Sequence, residues 1–170
     1  ALPGPLILSA DLRPGTACGG IDAAALQTLT NPEVIAVNQD PAARPMRPVL
    51  NSSDGLQAWL KPLAAANAYA VILFHRTRRT AGPIPANPAV REIRVAWADL
   101  GFPLAATAHV RDLWSRSALG TFSSSFSANV TERDARIFTF TLDAPAAPAP
   151  PARRITSVEA AGTAEVVYDW

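Results

Sequence analysis

The sequence predicts a mainly β protein: an antiparallel β-sandwich preceded by one strand–helix piece that belongs to a different layer. Three observations predict it. From Leu50 onward, apolar residues recur at every second position in several short runs, the period of half-buried strands. Turn formers separate those runs, the spacing of a sandwich. Ahead of them, Pro5 to Pro41 reads differently, as a short continuously apolar strand, a polar exit, a helix and a stop.

Leu6, Ile7 and Leu8 form the front strand, apolar throughout as a strand covered on both faces is. It needs hydrogen-bond partners on both edges, and nothing before it in the chain supplies them. Ser9, Ala10 and Asp11 follow. Asp11 is read as a strand-end carboxylate or a local partner of Arg13, not as a catalytic group. Pro14 to Gly20 is a glycine-rich insert carrying Cys18. Asp22 is the expected N-cap of a helix over Ala23 to Thr30, with Leu26 and Leu29 facing inward. Asn31-Pro32-Glu33 restarts a helical turn: Asn caps, Pro suits the first position, and Glu complements the dipole. Val34, Ile35 and Val37 pack it down. Pro41 to Pro48, with three prolines, is expected to be a linker.

The strands follow in order. Leu56, Ala58 and Leu60 alternate with Gln57, Trp59 and Lys61. Ala68 to Phe74 is nearly all apolar, as a central strand is. Ile93, Val95 and Trp97 alternate with Arg94 and Ala96. Phe126, Ala128 and Val130 form another alternating set, and Phe138, Phe140 and Leu142 the last. Pro83 to Pro88 reads as a long hairpin loop. Ala144 to Ala152 reads as an extended Pro/Ala linker, and Arg153 to Trp170 has no assigned element.

The chain has 170 residues, 49% hydrophobic and 17% charged, enough for one packed domain plus a piece. A net charge of +1 argues against a nucleic-acid or anionic-membrane partner. Arg76, Arg78 and Arg79, the only basic knot, are read as a solvated turn. No apolar run reaches the roughly 18–20 residues that span a bilayer. The single cysteine excludes an internal disulfide framework and a cysteine-rich zinc site; Cys18 is a free thiol or a partner for a cysteine outside the segment.

The candidate chemistry is sparse. His75 and His109, the only histidines, close one strand and open another, and are expected to be packing or surface residues rather than triad or metal residues. Asp99 and Asp112 are expected to tie turns and strand ends together, and Glu132 and Asp134 to lie on a solvated turn. No phosphate-binding glycine loop is present. No catalytic, substrate-binding or metal residue and no cofactor is expected. Asn51-Ser52-Ser53 and Asn129-Val130-Thr131 fit the N-glycosylation pattern, with Asn51 in a linker and Asn129 at a strand end. Trp59, Trp97 and Trp114 would serve a sugar-binding surface only if they form an exposed row.

Two front motifs and five later ones carry a resemblance. Pro5 to Arg13 and Asn31 to Pro41 are similar to the last strand and helix of the barrel in the melibiase-type α-galactosidases. Ala58-Trp59-Leu60-Lys61-Pro62-Leu63, Ala70 to Arg76, Trp97 to Gly101, Val110 to Trp114 and Leu119 to Phe122 resemble, in order, the C-terminal β domain of the same glycoside hydrolases. The Pro14–Gly20 insert departs from the family pattern. So do His75 in place of Asn, Ala66-Asn67-Ala68 in place of an Asp-Gly turn, and the Arg133-Asp134-Ala135 turn.

The resemblance implies three segments: 1–48, the last βα unit of a (β/α)8 barrel with a linker; 49–143, an antiparallel β-sandwich; and 144–170, a Pro/Ala-rich linker and tail. It implies a parent that hydrolyses terminal α-galactosyl linkages with retention, using two aspartates on earlier barrel strands, so that this C-terminal portion alone is expected to be inactive. The implied partners are an α-galactoside for the parent and the barrel, which pairs with the front strand. The implied location is secreted or lysosomal/vacuolar, with the natural start and its leader far upstream of Ala1. The alternative is a non-catalytic β-sandwich module for carbohydrate binding or interaction.

Overall fold

A computed structural model of the chain describes residues 21–76 and 88–143. The front strand Leu6–Leu8, Asp11, Arg13, the insert with Cys18, Arg78, Arg79, most of the Pro83–Pro88 loop and everything after Asp143 lie outside the described residues.

Two short helices come first, α1 (Ala23–Leu29) and α2 (Pro32–Asn38). Strands β1 (Arg47–Asn51), β2 (Leu56–Pro62), β3 (Ala68–His75) and β4 (Val90–Ala96) follow, then a one-turn helix α3 (Trp97–Leu100). Strands β5 (Thr107–Asp112), β6 (Ser117–Ser123), β7 (Ser125–Thr131) and β8 (Ala135–Leu142) complete the described order. Among the described residues, six strands form one antiparallel sheet in the order β1-β2-β3-β8-β5-β6, and β4 pairs with β7 in a second. This is the mainly β sandwich the period-two pattern predicts.

The core lies between the two sheets. Leu60, Val71, Leu73, Val110, Phe138 and Phe140 point into it from the large sheet, and Ile93, Val95, Phe126 and Val130 from the small one. Phe126 meets Phe138 and Phe140 edge-on, with ring centroids 4.9 and 5.3 Å away, the offset geometry that aromatic quadrupoles favour.

β3 and β8 occupy the middle of the large sheet, in register through Val71–Phe138 and Ile72–Ile137. Their other face is covered too. Ala70 and Ile137 pack there against Leu113 and against Val37 of α2. That double cover is why Ala68 to Phe74 is apolar without alternation.

Three expectations are corrected. Leu26 and Leu29 do not face inward; they are 53% and 45% exposed, in a helix that buries none of its residues. Trp97 does not end a strand but opens α3. The Asp99 carboxylate there accepts the Ala96 N–H at 2.9 Å, and Gly101, at φ +75°, terminates the turn while Phe102 N–H reaches back to the Trp97 carbonyl at 2.8 Å. Arg47, Pro48 and Asn51 belong to strand β1 rather than to a linker. Proline is tolerated in β1 because it is an outer strand, and the pairing is irregular between Pro48 and Leu50.

Candidate functional site

Specific polar contacts hold the helical segment against the sheet, and a cleft opens beside them. Asn31 caps α2: its Oδ1 accepts the N–H groups of Glu33 and Val34 at 3.0 and 3.3 Å. Its Nδ2 donates to the Leu113 carbonyl at 2.8 Å. Glu33 takes a two-pronged ion pair from Arg111 of β5, at 2.7 and 2.8 Å. That hydrogen-bonded guanidinium holds the Glu33 carboxyl below the usual carboxylate range, and Glu33 in turn raises Arg111. At the far end of α2, the buried Lys61 ammonium donates to the Val37 carbonyl, a cation at the negative end of the helix dipole. Thus α2 is fastened to the sheet at both ends, although it lies before residue 48.

Beside this rivet, Asp112 sits at the end of β5 and is 1% exposed. Its Oδ1 accepts the N–H groups of Trp114 and Ser115 at 2.8 and 3.2 Å, and its Oδ2 takes Arg136 of β8. Arg136 also lies over the Phe138 ring, 5.3 Å from its centroid. With its oxygens engaged in this way, Asp112 is a turn-holding group and not a nucleophile. The Trp114 indole N–H donates to the Ala135 carbonyl at 3.1 Å, which fixes the ring while leaving the residue 41% exposed. Gln27 and Thr28 of α1, Asn31, Trp114, Asp134 and the first residues of β8, Ala135 and Arg136, line an open cleft of about 470 Å³.

The three tryptophans do not make a row. Trp97 is fully buried and donates its N–H to the Ala106 carbonyl at 2.8 Å. Trp59 is half-buried, its N–H 3.3 Å from the Gln57 side chain. Trp114 stands beside the cleft.

The histidines are placed apart. His75 is buried at the end of β3, with Nδ1 3.3 Å from the Val130 carbonyl. His109 is exposed on β5, with Nε2 2.9 Å from Asp143 and Nδ1 3.1 Å from the Thr121 hydroxyl. Thr107 also donates to Asp143, and that hydrogen bond, followed by the His109 charge, lowers the Asp143 carboxyl. This is an acid–imidazole–hydroxyl set in composition. It lies open to water, with the His109 and Asp143 side chains 60% and 52% exposed, so no water-excluding pocket strengthens these contacts. Among the described residues no group of three or more His, Cys, Asp or Glu converges as a metal site.

Asn51 is exposed at the end of β1 and accepts the Gln57 amide at 3.0 Å. Asn129 is exposed on β7, opposite Glu92. What the sequence did not reveal is the Asn31–Leu113 tie, the Glu33–Arg111 pair and the Asp112–Arg136 pair. Their partners lie 82, 78 and 24 positions apart, and local patterning carries no signal across such distances.

Comparison with known proteins places these features. The family model for the α-galactosidase C-terminal β-sandwich domain matches residues 53–140. The α-galactosidase of Coffea arabica is 33% identical over 137 residues, covering 81% of this chain and 32% of that protein. A probable α-galactosidase of Dictyostelium discoideum is 35% identical over 124 residues, 72% of this chain and 29% of its own length. The crystal structure of α-galactosidase I from Mortierella vinacea superposes with a TM-score of 0.62 at 26% identity, over 78% of this chain and 32% of that one. The chain therefore spans about a third of the length of these relatives. Because the domain match takes in more than half of the residues and the described fold is the matching two-sheet sandwich, the chain belongs to the α-galactosidase C-terminal β-sandwich family.

Proposed function

We propose that this chain is the closing βα unit and C-terminal β-sandwich of a glycosidase that hydrolyses terminal α-galactosyl linkages with retention. Its role there is to buttress the catalytic barrel. The proposed segments are the barrel unit and linker up to the start of β1 at Arg47, the sandwich from there to 143, and 144–170 for the tail.

The observation that carries the reading is the two-sidedness of the helical segment. α2 is riveted to the sheet, while α1, directly before it, turns Leu26 and Leu29 to solvent. Two leucines three apart on one side of a helix form an apolar stripe that calls for cover, and a barrel on that side supplies it. Retention requires two carboxylates about 5–5.5 Å apart, one as nucleophile and one as acid/base. Asp112 is committed to two backbone N–H groups and Arg136, and Asp99 to the α3 turn. The catalytic pair belongs to the barrel, and this chain alone leaves an aryl α-galactoside intact. No helix among the described residues is long and apolar enough to cross a membrane. Secretion or a lysosomal/vacuolar location, with sugars on Asn51 and Asn129, completes the proposal.

The test is to join the chain to the remaining two thirds of the Coffea arabica enzyme, replacing that enzyme's own C-terminal third, and to assay aryl α-galactoside hydrolysis. The fusion is expected to turn over substrate, and Leu26→Asp with Leu29→Asp to abolish or cripple it. Turnover by the chain alone, or full activity in the double variant, overturns the reading.

A further inference from the structure

We propose that the cleft between α1, the Trp114 turn and the start of β8 is a saccharide subsite that takes a neutral hexopyranose stacked on the Trp114 indole. The proposal stands on the cleft itself and holds whether or not the parent enzyme cleaves α-galactosides.

The cleft, at about 470 Å³, falls in the range of small-molecule sites. Its aromatic wall is fixed and one-functional. The Trp114 N–H is taken by the Ala135 carbonyl, so the exposed part of the ring offers a π face and no donor. Such a face selects ligands that present C–H groups. Around it stand planar polar groups. Gln27 brings a carboxamide, donor and acceptor in one plane. Asp134 brings a carboxylate, of which Oδ1 accepts the Ala135 N–H at 2.7 Å.

The charge balance narrows the class. Arg136, the cationic group of the lining, is matched by the buried Asp112 carboxylate, and Asp134 adds a negative charge. Among the described lining residues, a phosphate or carboxylate ligand would meet no uncompensated cation. A pyranose has an apolar C–H face and an equatorial rim of hydroxyls, which suits one aromatic wall ringed by amide and carboxylate.

The cleft is also independent of the apolar side of α1. At 3.6 residues per turn, Leu26 and Leu29 lie on one side of the helix and Gln27 and Thr28 on the opposite side. A domain covering the leucines therefore does not need the cleft.

The test titrates the full chain with D-galactose, D-mannose and inorganic phosphate, followed by calorimetry and by saturation-transfer NMR. Galactose samples the substrate as a source of the ring, and mannose a glycan. At least one of the two sugars is expected to bind with a Kd on the order of 1–10 mM. Trp114→Ala is expected to weaken it at least tenfold and Gln27→Ala severalfold, while Trp59→Phe leaves it unchanged. Gln27→Ala and Asp134→Asn carry the test should Trp114→Ala fail to fold. Absence of binding for both sugars, equal affinity in the cleft variants, or phosphate bound more tightly than sugar overturns the proposal.

Discussion

Replacing Asn31 by alanine removes two functions of one side chain. The first is the α2 cap: Oδ1 accepts two N–H groups at 3.0 and 3.3 Å, and losing an asparagine cap costs about 1 kcal/mol. The second is the tie to the sheet. Asn31 is only 2% exposed, so the Leu113 carbonyl that its Nδ2 reaches loses its donor where water does not readily replace it, at about 2 kcal/mol. Together Asn31→Ala is expected to cost about 3 kcal/mol, a fall in Tm of about 6–12 °C. Asn31→Ser separates the parts, since the hydroxyl keeps the cap and is too short for Leu113. It should recover about 1 kcal/mol of the loss. Urea denaturation of the two variants measures both, and an unchanged slope is needed for the comparison. A loss under about 0.5 kcal/mol for Asn31→Ala, or a serine variant as stable as the parent, would refute the claim that this residue joins helix to sheet.

Three further outcomes follow from the same contacts. The Glu33, Asp54 and Asp143 carboxyls are all lowered in the folded chain, by hydrogen bonds chiefly from Arg111, Ser52 and Thr107 respectively. Their stabilisation is present above the ordinary carboxylate range and is lost as pH falls through the depressed folded values. Stability should therefore decline on acidification below about pH 4, with a shallower decline in Glu33→Gln, as thermal melts across pH will show. Asp112→Ala strips two backbone N–H groups and Arg136 of their acceptor at a buried position; about 3 kcal/mol of lost stability is expected in denaturant titration. Trp97→Ala empties the centre of the sandwich and should cost about 4 kcal/mol, while Trp114→Ala, on the surface, should cost far less in the same measurement.

The sandwich was legible because its signals are local. Ile93 and Val95 alternate with exposed neighbours. Asp22 and Asn31 both cap where their residue type predicts, since a cap is decided within three positions. The orientation of α1 was not legible. Leu26 and Leu29 have the spacing of a buried stripe, and that spacing says which residues share a side, not which neighbour the side meets. The cleft was not legible either, because it is assembled from α1, the Trp114 turn and the start of β8, far apart in the chain. Trp97 misled for a third reason: it continues the period of β4, and only Asp99 and Gly101 after it signal that the backbone has begun to coil.

The outer strands of the large sheet differ from its middle in one respect that bears on life in concentrated solution. β1 carries Pro48 and an offset in its pairing, and the β5–β6 ladder is irregular between Val110 and Arg111, with Gly120 of β6 at φ +100°. A missing N–H on one border and a kinked, glycine-softened ribbon on the other deny a neighbouring molecule a straight row of hydrogen-bonding groups to copy. Both borders are thus poor templates for edge-to-edge strand pairing in a crowded solution.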